Sequence, residues 1–205
     1  MKIKLIYFEK IESTHKYLLG NLKKYELPVC IWSEYQTDGI GSRGNRWIGK
    51  KGNLFFSFAY PLIFFKNIPL QSFSIYFGWI LKKTLNNLGS NVVLKWPNDI
   101  YLIDKKPFKV GGIITNLKNE TLICGIGLNT SFSPSKEFGY LDIRVKNDKI
   151  LQQFFIELEK RISFEEVIKE YNREFENTKK IFGFDEDLSL DGALIKNGKK
   201  VYSKR

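Results

Sequence analysis

The chain has 205 residues, 43% hydrophobic and 15% aromatic, enough for one packed core with a small appendage and too apolar for a disordered chain. Its formal charge of +11 belongs to residues 1–145, which hold 20 Lys+Arg against 10 Asp+Glu, whereas residues 146–205 hold 13 against 12. Apolar runs are strand-length and broken by polar residues, which excludes a bilayer span, and the alternating MKIKLIYFEK start lacks the apolar run of a secretion signal.

From the N-terminus, KIKLIYFEK alternates with a period of two and reads as a strand. STHKYLLGNLKKYE follows as a helix capped by Ser13 or Thr14, with Tyr17, Leu18, Leu22 and Tyr25 on one face. PVCIWSEYQ is a second strand running straight into a glycine loop, and NLFFSFAYP is a third. An aromatic-rich helix is expected from Leu70 to Leu88, stopped by Gly89. Four strand-like pieces come next: NVVLKWP, DIYLID, KVGGIITNL and TLICGIGLNT. Helices over about 147–160 and 163–180 precede a tail, LSLDGALIKNGKKVYSKR, of two or three short strands. The order predicts an α+β fold, a mixed and largely antiparallel sheet with helices packed on it. Cys30 and Cys124, far apart in apolar surroundings, read as reduced core residues of a cytoplasmic protein. The basic excess suits nucleic acid, an anionic small molecule or an acidic protein, but the lysines are scattered, so much of it is solvated surface.

The stretch QTDGIGSRGNRWIGKKGN carries G-x-G-x-x-G at Gly39, Gly41 and Gly44. A dinucleotide loop must open a helix, and here a strand follows. A kinase loop would need H-R-D and D-F-G, and a Walker loop G-K-[ST]; none occurs. What remains is a strand-to-strand loop whose backbone N–H groups, with Arg43, Arg46, Lys50 and Lys51, suit a phosphate or carboxylate, or simply a mobile basic surface loop. A second segment, LKWPNDIYLIDKKPFKVGGIITNL, puts Lys95 and Lys109 on otherwise apolar strands, Asn98-Asp99 at the exit of a proline turn, and Gly111-Gly112 inside a strand. A strand lysine is usually edge-exposed, and paired strand glycines often mark close backbone approach.

With these residues in view the chain closely resembles the biotin protein ligases, which attach biotin to carboxylase carrier domains. The matches are ESTHKYLL (the family has S-T-N), EYQTDGIGSRGNRW, KWPND, KVGGII and GIGLN, in family order from residue 12 to about 130. The resemblance implies a core of the class II aminoacyl-tRNA synthetase/biotin ligase type over residues 1–180 and a reduced C-terminal β segment over 181–205. It implies ATP, biotin and Mg²⁺ as ligands and a biotin carboxyl carrier domain of acetyl-CoA carboxylase or a related carboxylase as partner. Biotin would be activated to biotinyl-5′-AMP and passed to a carrier lysine. Such chemistry is mainly positioning and electrostatics.

Carried over by position, Ser13, Thr14, His15 and Gln36 would meet biotin, with Gly39, Ile40, Gly41 and Ser42 closing over it and Gly111 and Gly112 in its wall. Lys109 would sit by the reacting carboxylate and phosphate, with Arg43 and Lys95 as further catalytic residues. Arg46, Trp47 and Asn129 would hold the adenylate, and Asp99 and Asn129 a metal. The chain also departs from the family pattern. Ile40, Ser42 and Asn45 stand at arginine positions, so Arg43, helped by Arg46, is expected to supply the missing guanidinium. His15 replaces an asparagine, and Asn116 stands where a glutamate is common. Only twelve residues precede Ser13, so DNA-binding repression is not expected, and with no bilayer-length apolar run neither is a membrane partner; a homodimer paired through sheet edges is one state the resemblance allows. The rival readings are a nucleic-acid-binding protein and a related lipoate or octanoate ligase.

Overall fold

The computed structural model describes residues 2–203. Seven strands form one sheet in the order β1-β2-β5-β9-β8-β7-β6: β1 Lys4–Phe8, β2 Val29–Ser33, β5 Leu54–Pro61, β6 Val92–Lys95, β7 Asp99–Ile103, β8 Pro107–Lys118 and β9 Thr121–Leu128. Only β1 and β2 run parallel; every other neighbouring pair is antiparallel. The mixed α+β, largely antiparallel architecture expected from the pattern is the one observed.

Period-two alternation divides the sheet into two faces. Cys30, Leu54, Phe56, Phe58, Cys124, Ile126 and Leu128 point into the larger core. There they meet α2 Phe73–Asn87, α3 Asn147–Glu159 and α4 Phe164–Thr178. Ten of the fifteen residues of α2 are buried because it lies between the sheet and the other two helices. Val29, Ile31, Ala59 and Ile123 point the other way, onto Leu18 of α1 Thr14–Asn21. This smaller core covers only part of its face, and the uncovered remainder becomes the cavity described below.

Local chemistry explains the element boundaries. Ser13 caps α1, its Oγ accepting from Lys16 N at 3.3 Å. A single turn of 3-10 helix, Leu70–Ser72, precedes α2, so the α-helix starts three residues later than the periodicity suggests. It stops at Gly89 (φ 99°), where Ser90 N reaches back to Leu85 O. The second strand is shorter than expected: Ser33 Oγ accepts from Tyr35 N and donates to Tyr35 O, turning the chain out of the sheet. The glycine stretch then forms a two-stranded ribbon, β3 Gly39–Ile40 against β4 Arg46–Trp47, with Arg43 (φ 58°) and Gly44 (φ 76°) at its tip.

The tail forms a three-stranded antiparallel sheet, β10 Asp187–Leu188, β11 Leu194–Lys196 and β12 Lys199–Val201. Its last hairpin turns on Asn197-Gly198, both at positive φ, the pair that favours a tight two-residue turn. Leu188 and Leu194 enter the larger core. Cys30 and Cys124 are free and fully buried, and burial pushes both thiols well above their ordinary value. Among the described residues no helix is long and apolar enough to cross a membrane.

Candidate active site

A cavity of about 330 Å³ lies on the uncovered sheet face, between the start of α1, the glycine ribbon and strands β5, β7, β8 and β9. Its floor consists of two cross-strand rows. Ser57, Gly125 and Ile114 pair across β5, β9 and β8; Gly127, Gly112 and Asp99 pair across β9, β8 and β7. Successive rows on one face lie two residues, or about 6.7 Å, apart along the strands.

The first row carries a neutral polar cluster. Gln36 Oε1 accepts from Thr14 N at 2.7 Å and from Thr14 Oγ1 at 3.0 Å, and Thr14 Oγ1 lies 2.9 Å from Ser57 Oγ. Ser13, Thr14, Gln36 and Ser57 are all buried, so their geometry is fixed by one another rather than by water. His15 lies beside them over Gly125, where a Cβ would come within 2.6 Å of its Nδ1. Burial lowers the His15 pKa, against the raising effect of the Asn116 hydrogen bond. Burial therefore favours the neutral imidazole.

The second row is bare because it is glycine. Gly112 and Gly127 pair directly, and the Trp47 ring rests on them: a Cβ at Gly127 would stand 2.6 Å from Trp47 Cε2, and one at Gly112 3.1 Å from Trp47 Cζ3. Trp47 Nε1 is buried without a partner. At the end of this row Lys109 Nζ lies 2.7 Å from Asp99 Oδ1 and 5.6 Å from the centre of the Trp47 ring. The 131–139 loop supports this end: Gly139 N donates to Lys109 O, and Phe138 bridges to Lys109 and lines the cavity.

Of the residues singled out in the sequence, Ser13, Thr14, His15, Gln36, Ile40, Gly41, Ser42, Arg46, Trp47, Asp99, Lys109 and Gly112 line this one cavity. Five others do not. Gly39 belongs to the ribbon but does not line the cavity; a Cβ there would meet Trp47 O at 2.7 Å. Gly111 faces the larger core, against Leu128 and Ile100, because adjacent strand residues point to opposite faces. Lys95, on the edge strand β6, does not line the cavity; its ammonium lies 5.0 Å from the Tyr101 ring centre and 5.3 Å from that of Phe182. Arg43, exposed at the ribbon tip, lines an adjoining groove with Gln71, Ser74 and Asn116. Asn129 is fully buried, its Nδ2 donating to Gly139 O and its Oδ1 accepting from Asn53 Nδ2 at 3.3 Å.

Several cavity residues escaped the sequence reading. Ser57 is the one serine in a strand of aromatic and aliphatic residues, which was the available signal. Gly125 and Gly127 show as alternating glycines in TLICGIGL. Phe138, and Asn53 behind it, had no local signal. Asn53 Oδ1 accepts from Ser131 N and Phe132 N, both at 3.0 Å, and its Nδ2 donates to Phe132 O at 2.8 Å, so one buried amide fixes the start of the loop.

Residues 7–129 match the model of the biotin/lipoate A/B protein ligase family. The chain is 32% identical over 136 residues to the bifunctional ligase/repressor BirA of Salmonella typhimurium, covering 62% of this chain and 41% of that protein. It thus spans about two fifths of the length of such curated relatives. Among solved structures, the biotin acetyl coenzyme A carboxylase synthetase of Helicobacter pylori, crystallised with bound biotinylated ATP, superposes with a TM-score of 0.89. The two are 34% identical, over 98% of this chain and 100% of that one. Biotin protein ligase of Aquifex aeolicus, in complex with biotin and ATP, shares the fold at a TM-score of 0.77 and 22% identity, over 98% of this chain and 96% of that one. With its matched motifs gathered around a single cavity, the chain belongs to the biotin/lipoate A/B protein ligase family.

Proposed function

We propose that this protein is an ATP-dependent biotin protein ligase acting on the biotin carboxyl carrier domain of a carboxylase. The observation that carries the reading is the make-up of the cavity: a neutral hydrogen-bonding end at Thr14, Gln36 and Ser57 is joined over a glycine floor to a charged end at Lys109, Asp99 and Trp47. A ureido ring needs donors and acceptors at one end, and its carboxylate must meet a phosphate at the other. A lipoyl ring would leave the first cluster unmatched, which disfavours it.

In the first step the biotin carboxylate oxygen attacks the α-phosphorus of ATP and pyrophosphate leaves. In the second, a carrier lysine amine attacks the acyl carbon, AMP leaves, and the amine loses a proton. The Lys109 ammonium would offset the negative charge where carboxylate and phosphate meet, and Trp47, which lines the cavity beside it, would meet the nucleotide. Arg46 lines the cavity with its Nη2 on Thr37 O at 3.1 Å, leaving further donors for phosphate. Arg43 would reach the adenylate from the adjoining groove; unchanged adenylate formation in Arg43→Ala would remove it from this scheme.

Among the described residues no cluster of three or more His, Cys, Asp or Glu forms a metal cage. Asp99 offers one carboxylate beside the phosphate end, which fits an Mg²⁺ held mainly by phosphate oxygens and water. Such an ion would neutralise phosphate charge when bound. Asn129 is fully buried and does not line the cavity, so it is not placed to join such an ion directly.

The deciding experiment incubates the protein with ATP, Mg²⁺ and either biotin or lipoate, following pyrophosphate release and labelling of a carrier domain. Biotin-dependent pyrophosphate and a biotinylated carrier are expected. Turnover with lipoate alone would move the chain to the lipoate branch, and turnover with neither would defeat the proposal.

A further inference from the structure

His15 and Asn116, two positions that depart from the family pattern, are in contact. His15 Nε2 lies 2.7 Å from Asn116 Oδ1, joining the start of α1 to β8. An amide oxygen only accepts, so Nε2 carries the proton and Nδ1 is a bare lone pair. Nδ1 is buried without a partner and rests against Gly125, where no Cβ could be accommodated. The opposite tautomer would need the Asn116 amide turned to offer Nδ2–H and would bury an N–H donor at Nδ1 against carbon with no acceptor, which is unfavourable. His15 is 2% exposed and lines the cavity, whereas Asn116 is exposed and lines only the adjoining groove.

We propose that Asn116 is a positioning residue for the biotin cavity: from outside, it fixes the tautomer and tilt of His15 and so the shape of the wall that receives the biotin ring. The functional half of this inference rests on the biotin reading above. Substitution at exposed Asn116 removes no core packing, so its effect on the cavity is separable from an effect on folding.

His15 is the sole histidine in the chain, so the imidazole ¹⁵N spectrum of untagged protein reports its tautomer without assignment. Wild type and Asn116→Asp, which keeps an acceptor, should show the proton on Nε2 alone. Asn116→Leu should populate both tautomers and raise KM for biotin in pyrophosphate release about three- to tenfold, the range of one lost hydrogen bond. Its kcat should stay within about twofold, as expected when ground-state binding is lost. The Asp variant, assayed at pH 8, should retain the wild-type KM, and melting temperatures should match. An Asn116→Leu protein whose tautomer or KM is unchanged overturns the proposal, as does an Asp variant that behaves like Leu. Wild type that shows the Nε2–H tautomer but releases no pyrophosphate with biotin overturns the biotin reading and leaves only the tautomer assignment.

Discussion

Lys95 and Lys109 look alike in the sequence, each a cation on an apolar strand, yet their surroundings assign them different work. Lys109 faces Asp99 and the Trp47 ring inside the cavity, while Lys95, on the edge strand, lies outside it against Tyr101 and Phe182. Lys109→Met should lower biotin-dependent pyrophosphate release by about 10²- to 10³-fold, the usual cost of removing one transition-state donor, with little change in melting temperature. Lys95→Met should do the reverse: a loss of about 1 kcal/mol of stability, the scale of a partly exposed cation–π contact, and turnover per folded molecule within a few-fold of wild type. Equal kinetic losses in both would show that Lys95 also reaches the reaction. The glycines sort in the same way. Gly127→Ala forces a methyl into the Trp47 ring and should raise KM for ATP, whereas Gly20, with open space around it in α1, should accept alanine and gain about 0.5–1 kcal/mol from helix propensity.

At the scale of elements, the K-W-P-N-D stretch divides between two tasks. Asn98 and Asp99 face the cavity, Asn98 donating to Ile113 O at 2.8 Å. Trp96 instead holds the C-terminal segment, its Nε1 donating to Gly192 O at 2.9 Å, while Lys95 sits over the Tyr101 and Phe182 rings. Asp191 organises the same segment. Burial alone would raise its carboxyl pKa, but hydrogen bonds from Lys200, Ser189 and Tyr202 outweigh that and hold it below the usual carboxylate range. A depressed folded-state pKa stabilises above the unfolded value near pH 4, and the contribution fades as pH falls through the folded one. Asp191→Asn should therefore cost about 1 kcal/mol at pH 7 in chemical denaturation, and the gap from wild type should close below about pH 4. A gap that stays constant down to pH 2 would show that the charge is not what holds the segment. Period and punctuation made all seven main strands and the four helices legible in advance, from KIKLIYF to the helix over 163–180. Two kinds of feature were not. The turn at Ser33 is set by a side chain bonding its own neighbourhood, and the Asn53 clamp and the His15–Asn116 contact join segments that only the fold brings together. A motif match assigned Gly39, Arg43, Lys95, Gly111 and Asn129 to a site without knowing which face each position occupies, and none of these five lines the cavity.

For the whole molecule, the uneven charge has a structural counterpart. Among the described residues only two ion pairs, Lys16–Asp38 and Lys109–Asp99, lie wholly within residues 1–145. The other pairs each use at least one residue beyond 145, where acids and bases nearly balance. The basic excess of the first two thirds is therefore mostly uncompensated and solvated, on the same part of the chain that builds the cavity. A charge field of this kind accelerates encounter with an acidic partner while adding little to the contact itself. An acidic carrier domain would feel it over roughly a Debye length, about 10 Å at 0.1 M salt. Biotin transfer to such a carrier should accordingly slow as ionic strength rises from about 0.02 to about 0.5 M, through kcat/KM for the carrier rather than kcat. Pyrophosphate release at saturating biotin and ATP, followed in the same buffers without carrier, separates steering from salt effects on the chemistry and should change far less. A carrier kcat/KM that is flat across this range would remove any role for the basic surface in docking, and the excess charge would then serve only to keep the molecule solvated.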